Sequence, residues 1–295
     1  MSSPEAYNTP FSSVTDPEAI YGEGDTYLIQ HFLANDIATG AFQKIKDEVK
    51  WQTMHHHGGE VPRLIAVQGQ INEDGSFPIY RHPSDESPPL FAFSPTVALV
   101  RQQVEKELQH SVNHVLIQYY RTGNDYISEH SDKTIDVVRG SKIVNVSLGA
   151  ERLMILRMKK DAMGPKSITR TAQRIPLPHN SMFVLGLKTN SKWLHGIRQD
   201  KRLMTEKTLA ETAFDNGRIS LTFRHIGTFL TEHSTHIWGQ GGKGKTKEDM
   251  RPVVVGNELE TEKMIDAFGK ENQFSDFNWT AVYGEGYDVL HFSSR

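Results

Sequence analysis

The chain has no cysteine in its 295 residues. Disulfides and thiolate metal sites are therefore excluded, and any metal must be held by His, Asp or Glu. No apolar run approaches the ~18 residues that a membrane helix needs. The stretch "MSSPEAYNTPFSSVTDPEAI" is rich in Ser and Pro and holds no hydrophobic signal segment. An excess of one charge is also missing: 33 Lys and Arg stand against 36 Asp and Glu. That balance excludes a chain-wide electrostatic footprint for nucleic acid, though not a local basic groove. A protein of the cytoplasm or nucleus, with no membrane partner, is expected.

The hydrophobic content, 37%, is ordinary, and at this length it is enough to bury a substantial core. Residues 1–25 read as a flexible N-terminal arm. A helix is expected from about Asn35 or Asp36, because Ile37, Ala41, Ile45 and Val49 recur four apart. A second should open at Ser94-Pro95, an N-cap and first-turn pair, with Val97, Val100, Val104 and Leu108 on one face. Residues 51–94 between them are rich in Gly, Pro and polar residues and read as loops with short strands. After Asn113 the period changes. "HVLIQYYR", "KIVNVSLG", "LMILRM", "SMFVLGL" and "RISLTFRHI" are short β-rich runs separated by turn residues. Many short strands without crossover helices point to a sandwich or jelly roll with helices on one face.

Near the C-terminal end, Gly239, Gly244, Lys245 and Thr246 satisfy G-x-x-x-x-G-K-[ST], a phosphate-binding P-loop. The context opposes it. A P-loop needs a buried strand before it and a helix after it. Here "TEHSTHIW" precedes, polar and short, and Pro252 follows soon after. A flexible Gly/Lys loop is expected instead.

The stretch "YISEHSDKTIDV" carries more chemistry. His130 and Asp132 are two apart, and such residues share a face of a strand. A second histidine, best supplied by His195 in "SKWLHGIRQ", would complete two His and one carboxylate. That set leaves open coordination positions and suits non-haem Fe(II). His-x-Asp alone is a weak signal, and a surface His beside a solvated Asp remains open. In "GRISLTFRHI", Arg218 and Arg224 are six apart and share a face. On a buried strand they need anionic partners. Asp132 and a dicarboxylate would supply them, since an Arg fork meets carboxylate bidentately; exposed edge-strand arginines are the alternative.

Together with "VPR", "LIQYYRTGNDYISEHSD", "VNVSLGAERLMILR" and "WLHGI", these motifs resemble the AlkB branch of the Fe(II)/2-oxoglutarate dioxygenases. The resemblance runs over about residues 51–230. It implies an α+β, mainly β fold: a double-stranded β-helix, or jelly roll, with N-terminal helices packed on one sheet. It implies a dioxygenase domain over 26–230, substrate-access loops at 51–94, and a C-terminal extension, 231–295, packing on the domain. It implies Fe(II) held by His130, Asp132 and His195, with 2-oxoglutarate and O2 as co-substrates. Arg218 would pair with the distal carboxylate of 2-oxoglutarate. Arg224 would lie near its C1 carboxylate and Asp132, and Tyr120 would hydrogen-bond it. Gln118 falls where the family usually has Asn. The implied reaction oxidises a C–H bond through an Fe(IV)-oxo species and releases succinate and CO2.

For the substrate, the sequence leans toward a small molecule, such as an amino acid or a biosynthetic intermediate, hydroxylated, desaturated or cyclised. Oxidative demethylation of alkylated bases in DNA or RNA is the alternative. Repair members generally carry an acid two residues after the metal Asp, where this chain has Thr134; Asp136 is a possible substitute. Lys133, Arg139 and Lys142 offer at most a short basic track. Candidate substrate residues are Arg63, His57, Gln68, Lys133 and Thr134. The adjacent His55, His56 and His57 could stack on a base, bind a carboxylate, hold a second metal or lie on the surface.

Overall fold

Both segments with apolar residues at helical spacing form helices. The first, Asn35–Glu48, buries Ala38, Ala41, Phe42 and Ile45. The second, Pro95–Leu108, starts on Pro95 and buries Val97, Val100, Val104 and Leu108. Proline suits that place because its missing N–H has no intrahelical partner there. The computed structural model describes residues 19–56, 59–84, 86–162, 170–291 and 293–294. His57 and residues 1–18 of the expected arm lie outside them.

Under the helices lies an eight-stranded sheet. Its order is Ile20–Tyr21, Thr26–Gln30, Ser181–Leu185, Ile143–Gly149, Arg218–Arg224, His114–Tyr120, Leu64–Gly69, Leu90–Ala92. Every pair is antiparallel except the last. A four-stranded antiparallel sheet, ordered Ile127–His130, Trp193–Ile197, Arg152–Met158, Ala172–Leu177, packs against its other face. The strands alternate accordingly. Val144, Val146, Ile219, Leu221 and Phe223 join the helices in one core. Ile143, Phe183 and Leu185 meet Met154, Leu156, Ile175 and Ile197 between the sheets. This is a double-stranded β-helix with helices on one sheet, mainly β, as expected.

The alternation also fixes the chemistry. Each fully buried aliphatic or Phe side chain contributes about 1.5–3 kcal/mol over exposure. A one-residue slip of Arg218–Arg224 would expel Ile219, Leu221 and Phe223 and turn both arginines into the helix core. Register therefore holds Arg218, Ser220, Thr222 and Arg224 on the face toward the smaller sheet.

Residues 20–25 are not a loose arm. Ile20 and Tyr21 pair with Tyr27 and Thr26. The Asp25 carboxylate accepts from the Lys188 and Thr189 amides at 2.9 and 3.2 Å. These amides open the short helix Leu187–Lys192, and first-turn amides lack intrahelical acceptors.

Beyond Arg224 the chain forms a third small sheet, ordered Arg251–Pro252, His236–Gly239, Thr228–Leu230, Phe77–Pro78. A C-terminal helix, Glu258–Gln273, follows, capped by Asn257, whose side chain accepts from the Glu260 amide at 3.1 Å. Its Met264, Ala267 and Phe268 pack with Tyr283 and Val289 against Ile135, three residues past Asp132.

The Gly/Lys loop is neither a P-loop nor loose. The strand before it has four residues and the next element is the strand Arg251–Pro252, not a helix. Lys245 donates to the carbonyls of Gly242 and Gln240 at 2.7 and 3.2 Å, so its charge is turned on the loop itself. The glycines allow close approach. The Gly241 carbonyl accepts from Arg81 at 2.8 Å, and a Cβ at Gly241 would stand 2.4 Å from that guanidinium. Among the described residues no helix is long and apolar enough to cross a membrane.

Candidate metal and co-substrate site

The strand Ile127–His130 ends before Asp132, which lies in the irregular stretch beyond. A shared strand face is thus not what aligns His130 with Asp132. Asn190 does this work. It accepts from the Asp132 amide and donates to the Asp132 carbonyl, both at 2.9 Å. His195 stands directly opposite His130 in antiparallel register. The donor atoms of all three lie within 4.8 Å of one another. The two Nε2 atoms are 3.7 and 3.9 Å from Asp132 Oδ1.

The protonation states suit a cation. His130 Nδ1 lies 2.8 Å from the Ser128 carbonyl. That bond needs the proton on Nδ1 and leaves the Nε2 lone pair toward the triad. Burial, with His195 alongside, brings the His130 pKa down to about 3. Burial also lowers His195. Asp132 is buried, which opposes its charge, yet Arg224, His195 and His130 hold it well below the usual carboxylate range. Arg224 donates to Asp132 Oδ2 through Nε at 3.1 Å and Nη2 at 2.7 Å. Oδ1 is left to face the two imidazoles. Two neutral imidazoles and one carboxylate form a ligand set that fits Fe(II).

A cavity of about 60 Å³ between the sheets continues from the triad, lined also by Gln118, Tyr120, Asn145, Arg218 and Arg224. Arg218 donates from Nη2 to Asn145 Oδ1 at 3.1 Å and Ser147 Oγ at 2.8 Å. Its Nε and Nη1 are buried without any partner. Burial lowers its pKa to about 10, still charged at neutral pH. A buried cation with two idle donors wants a carboxylate. Tyr120 lies beneath it, ring centroid 5.2 Å from the guanidinium, with its hydroxyl 3.5 Å from Gln118 Oε1. Arg224 Nη1 is likewise buried and unpartnered. The idle edges of Arg218 and the open side of the triad fit a dicarboxylate lying between them. Asn145 and Ser147 were not foreseen. Their signal is the alternation in "IVNVSLG", where they oppose Val144, Val146 and Leu148.

A second cavity, about 760 Å³, shares His130, Asp132 and Arg224 with the first. Arg63 and Lys133 line it, together with Met54, Tyr80 and His114. The C-terminal helix supplies Ile265, Phe268, Gly269 and Asn272. Two sequence candidates do not reach it. Gln68 faces the second helix, where its Oε1 accepts from the Ser94 amide at 2.9 Å. Thr134 turns to the C-terminal helix: its amide donates to Glu271 Oε1 at 3.0 Å, and its hydroxyl bonds the same oxygen. Asp136 is no substitute acid, because it is buried in a pair with Arg81 at 2.7 Å. Lys133 is buried, while Arg139 and Lys142 lie over Trp279 and Tyr27 at 5.0 and 5.3 Å. The three form no single exposed basic track. His55 pairs with Glu86 at 3.5 Å. The triad is the one group of His, Asp and Glu among the described residues placed to hold a metal. His114 was missed. It pairs in register with Arg224, lines the cavity, and has a buried Nδ1 without a partner. Burial keeps it neutral, far below the ordinary histidine value.

Residues 25–224 match the family described as the 2OG-Fe(II) oxygenase superfamily. The chain is 30% identical over 210 residues to human DNA oxidative demethylase ALKBH2, covering 70% of this chain and 71% of that protein. It is 25% identical over 205 residues to bovine alpha-ketoglutarate-dependent dioxygenase alkB homolog 3, covering 69% of this chain and 62% of that protein.

Proposed function

The chain belongs to the AlkB-like branch of the 2OG-Fe(II) oxygenase superfamily, and from that premise we propose that it oxidatively removes N-linked alkyl groups from nucleobases. The enzyme class, a non-haem Fe(II)/2-oxoglutarate-dependent dioxygenase, comes with the family. The observation that carries the proposal is the wall common to the two cavities: His130, Asp132 and Arg224 face both. A ligand in the larger cavity would thereby lie against the residues that would hold the metal. That a relative is named a DNA oxidative demethylase favours a nucleobase there, over the small molecule toward which the sequence leans.

Bound Fe(II), with 2-oxoglutarate and O2, supplies an oxidant able to hydroxylate a C–H bond, leaving succinate and CO2. The protein's own groups do the rest. His130, Asp132 and His195 would hold the metal. Arg224 keeps Asp132 ionised and turns Oδ1 inward. Arg218 and Tyr120 would take the distal carboxylate of the co-substrate. Apolar walls such as Ile79, Phe268 and Leu290 would limit water around a substrate bound in the larger cavity, which would strengthen polar contacts there. Hydroxylation of an N-methyl carbon gives a hemiaminal. Its collapse returns the N–H and releases formaldehyde.

One observation favours a second reading, oxidation of a small molecule such as an amino acid or biosynthetic intermediate. The C-terminal helix closes one wall of a cavity whose 760 Å³ falls in the range of pockets that enclose small ligands. The test is formaldehyde and succinate from N-methylated single-stranded DNA, run beside a panel of amino acids, at two salt concentrations. Equal formaldehyde and succinate from the DNA, weakened by salt, supports the nucleobase reading. Succinate stimulated only by a small molecule overturns it.

A further inference from the structure

We infer that the larger cavity recognises its substrate through an anionic group, a carboxylate or a phosphate, held by Arg63 and Lys133. Both side chains line the cavity and both residues are buried, at 9% and 4% exposure. Neither sits in an ion pair among the described residues. Arg63 gives Nε to Gln118 Oε1 and Nη1 to the Tyr126 carbonyl at 2.7 Å. Lys133 gives Nζ to the Ser131 carbonyl at 3.0 Å and Asn272 Oδ1 at 3.2 Å. All four acceptors are neutral. Nη2 of Arg63 and one N–H of Lys133 are left without an acceptor among the described residues.

The other buried cations of the chain fall into two groups: Arg152 and Lys159 rest on backbone carbonyls alone, while others are paired. Arg81 and Arg224 each pair with an aspartate at 2.7 Å. Arg218 is the informative comparison: neutral acceptors, idle donors, and a place where the family's co-substrate carries a carboxylate. Arg63 and Lys133 also rest on neutral acceptors, and they line the larger cavity, although neither carries a buried donor atom without a partner as Arg218 does. The acids nearby act on them only through space and are engaged elsewhere; Asp125, which acts on Arg63, holds Arg121 at 2.8 Å. Asp132 is engaged by Arg224. Glu271 gives its oxygens to Thr134 and Tyr283. Glu232 lies at the rim with its side chain 66% exposed.

The inference rests on the oxygenase reading and names the group that its substrate must carry. In a nucleic acid that group is a phosphate beside the alkylated base; in a small molecule it is a carboxylate. The experiment is calorimetric titration of the anaerobic protein, loaded with Fe(II) and saturating 2-oxoglutarate, with two probe pairs. One pair is N1-methyl-deoxyadenosine monophosphate against its nucleoside. The other is N-methylphenylalanine against its amide. Each neutral member controls for general damage in Arg63→Gln and Lys133→Met. The anionic member of one pair should bind wild type at least about tenfold more tightly, the yield of a charge-assisted contact. Either variant should shrink that advantage to within about threefold.

An advantage confined to the phosphate supports the site together with the nucleobase reading. One confined to the carboxylate supports the site and removes that reading. No advantage in either pair, no binding of either anion, or an advantage that survives both substitutions overturns the site. Formaldehyde release from methylated DNA with any of these three results leaves the nucleobase reading standing alone.

Discussion

Replacing Arg218 by Met should do two things of opposite sign: weaken 2-oxoglutarate binding and stabilise the ligand-free protein. The reason is the idle guanidinium edge. Nε and Nη1 are buried with no partner, while Nη2 alone reaches Asn145 and Ser147. Two charge-assisted bonds to a carboxylate, at about 1.5–3 kcal/mol each, convert to roughly 10²- to 10⁴-fold in affinity. Without ligand those donors carry a desolvation penalty of about 1–3 kcal/mol, which Met removes. Asn145 Oδ1 and Ser147 Oγ remain 3.4 Å apart and can satisfy each other. Anaerobic calorimetry with 2-oxoglutarate reads the first effect, and urea unfolding of ligand-free protein reads the second. Affinity within about threefold of wild type would show that no carboxylate meets Arg218. A ligand-free variant less stable than wild type would show that the fold already satisfies the guanidinium.

The remaining predictions concern the metal, a structural pair and acid pH. Asp132→Ala should abolish stoichiometric Fe(II) binding, measured by metal analysis after desalting, and should destabilise the fold by about 3–5 kcal/mol because Arg224 loses its partner. Retained iron would refute the ligand assignment. Asp136→Asn should lower stability by a similar amount, about 3–5 kcal/mol, since Arg81 is fully buried against it at 2.7 Å and also holds the Gly241 and Tyr287 carbonyls. Equal urea midpoints for variant and wild type would contradict that role. His82 has its pKa lowered to about 3, by burial first and then by His291 and Arg224. A histidine depressed on folding contributes stability above its unfolded pKa of about 6.5, and that stability is lost as pH falls toward 3. The slope it adds approaches about 1.4 kcal/mol per pH unit. His82→Phe should flatten that part of a urea-midpoint profile between pH 6.5 and 4; an unchanged profile would place the acid sensitivity elsewhere.

The helices and inner strands are legible because their patterning is local. Val97, Val100, Val104 and Leu108 repeat at helical spacing, and "RISLTFR" alternates so that two arginines share a face. The triad is legible because His130 and His195 lie in short diagnostic motifs. What aligns Asp132 is not local: Asn190, 58 residues away, clamps its backbone. Gln68 was misplaced because nothing in a strand's alternation says which face meets helix and which meets cavity. Thr134 was misplaced for a longer-range reason, since its partner Glu271 lies 137 residues on. The C-terminal helix itself has a readable start, Asn257 followed by acids, with Met264 and Phe268 four apart. That it walls the larger cavity depends on its packing over Ile135, which only the assembled fold shows.

The most direct measurement is succinate formed when protein loaded anaerobically with Fe(II) and 2-oxoglutarate is exposed to air, with and without N-methylated single-stranded DNA. Wild type should convert 2-oxoglutarate to succinate and CO2 in equal amounts, and His195→Ala should give only the background of free iron. Wild type at that same background under every condition, or His195→Ala matching wild type, would contradict the placement of an oxidising iron centre at His130, Asp132 and His195.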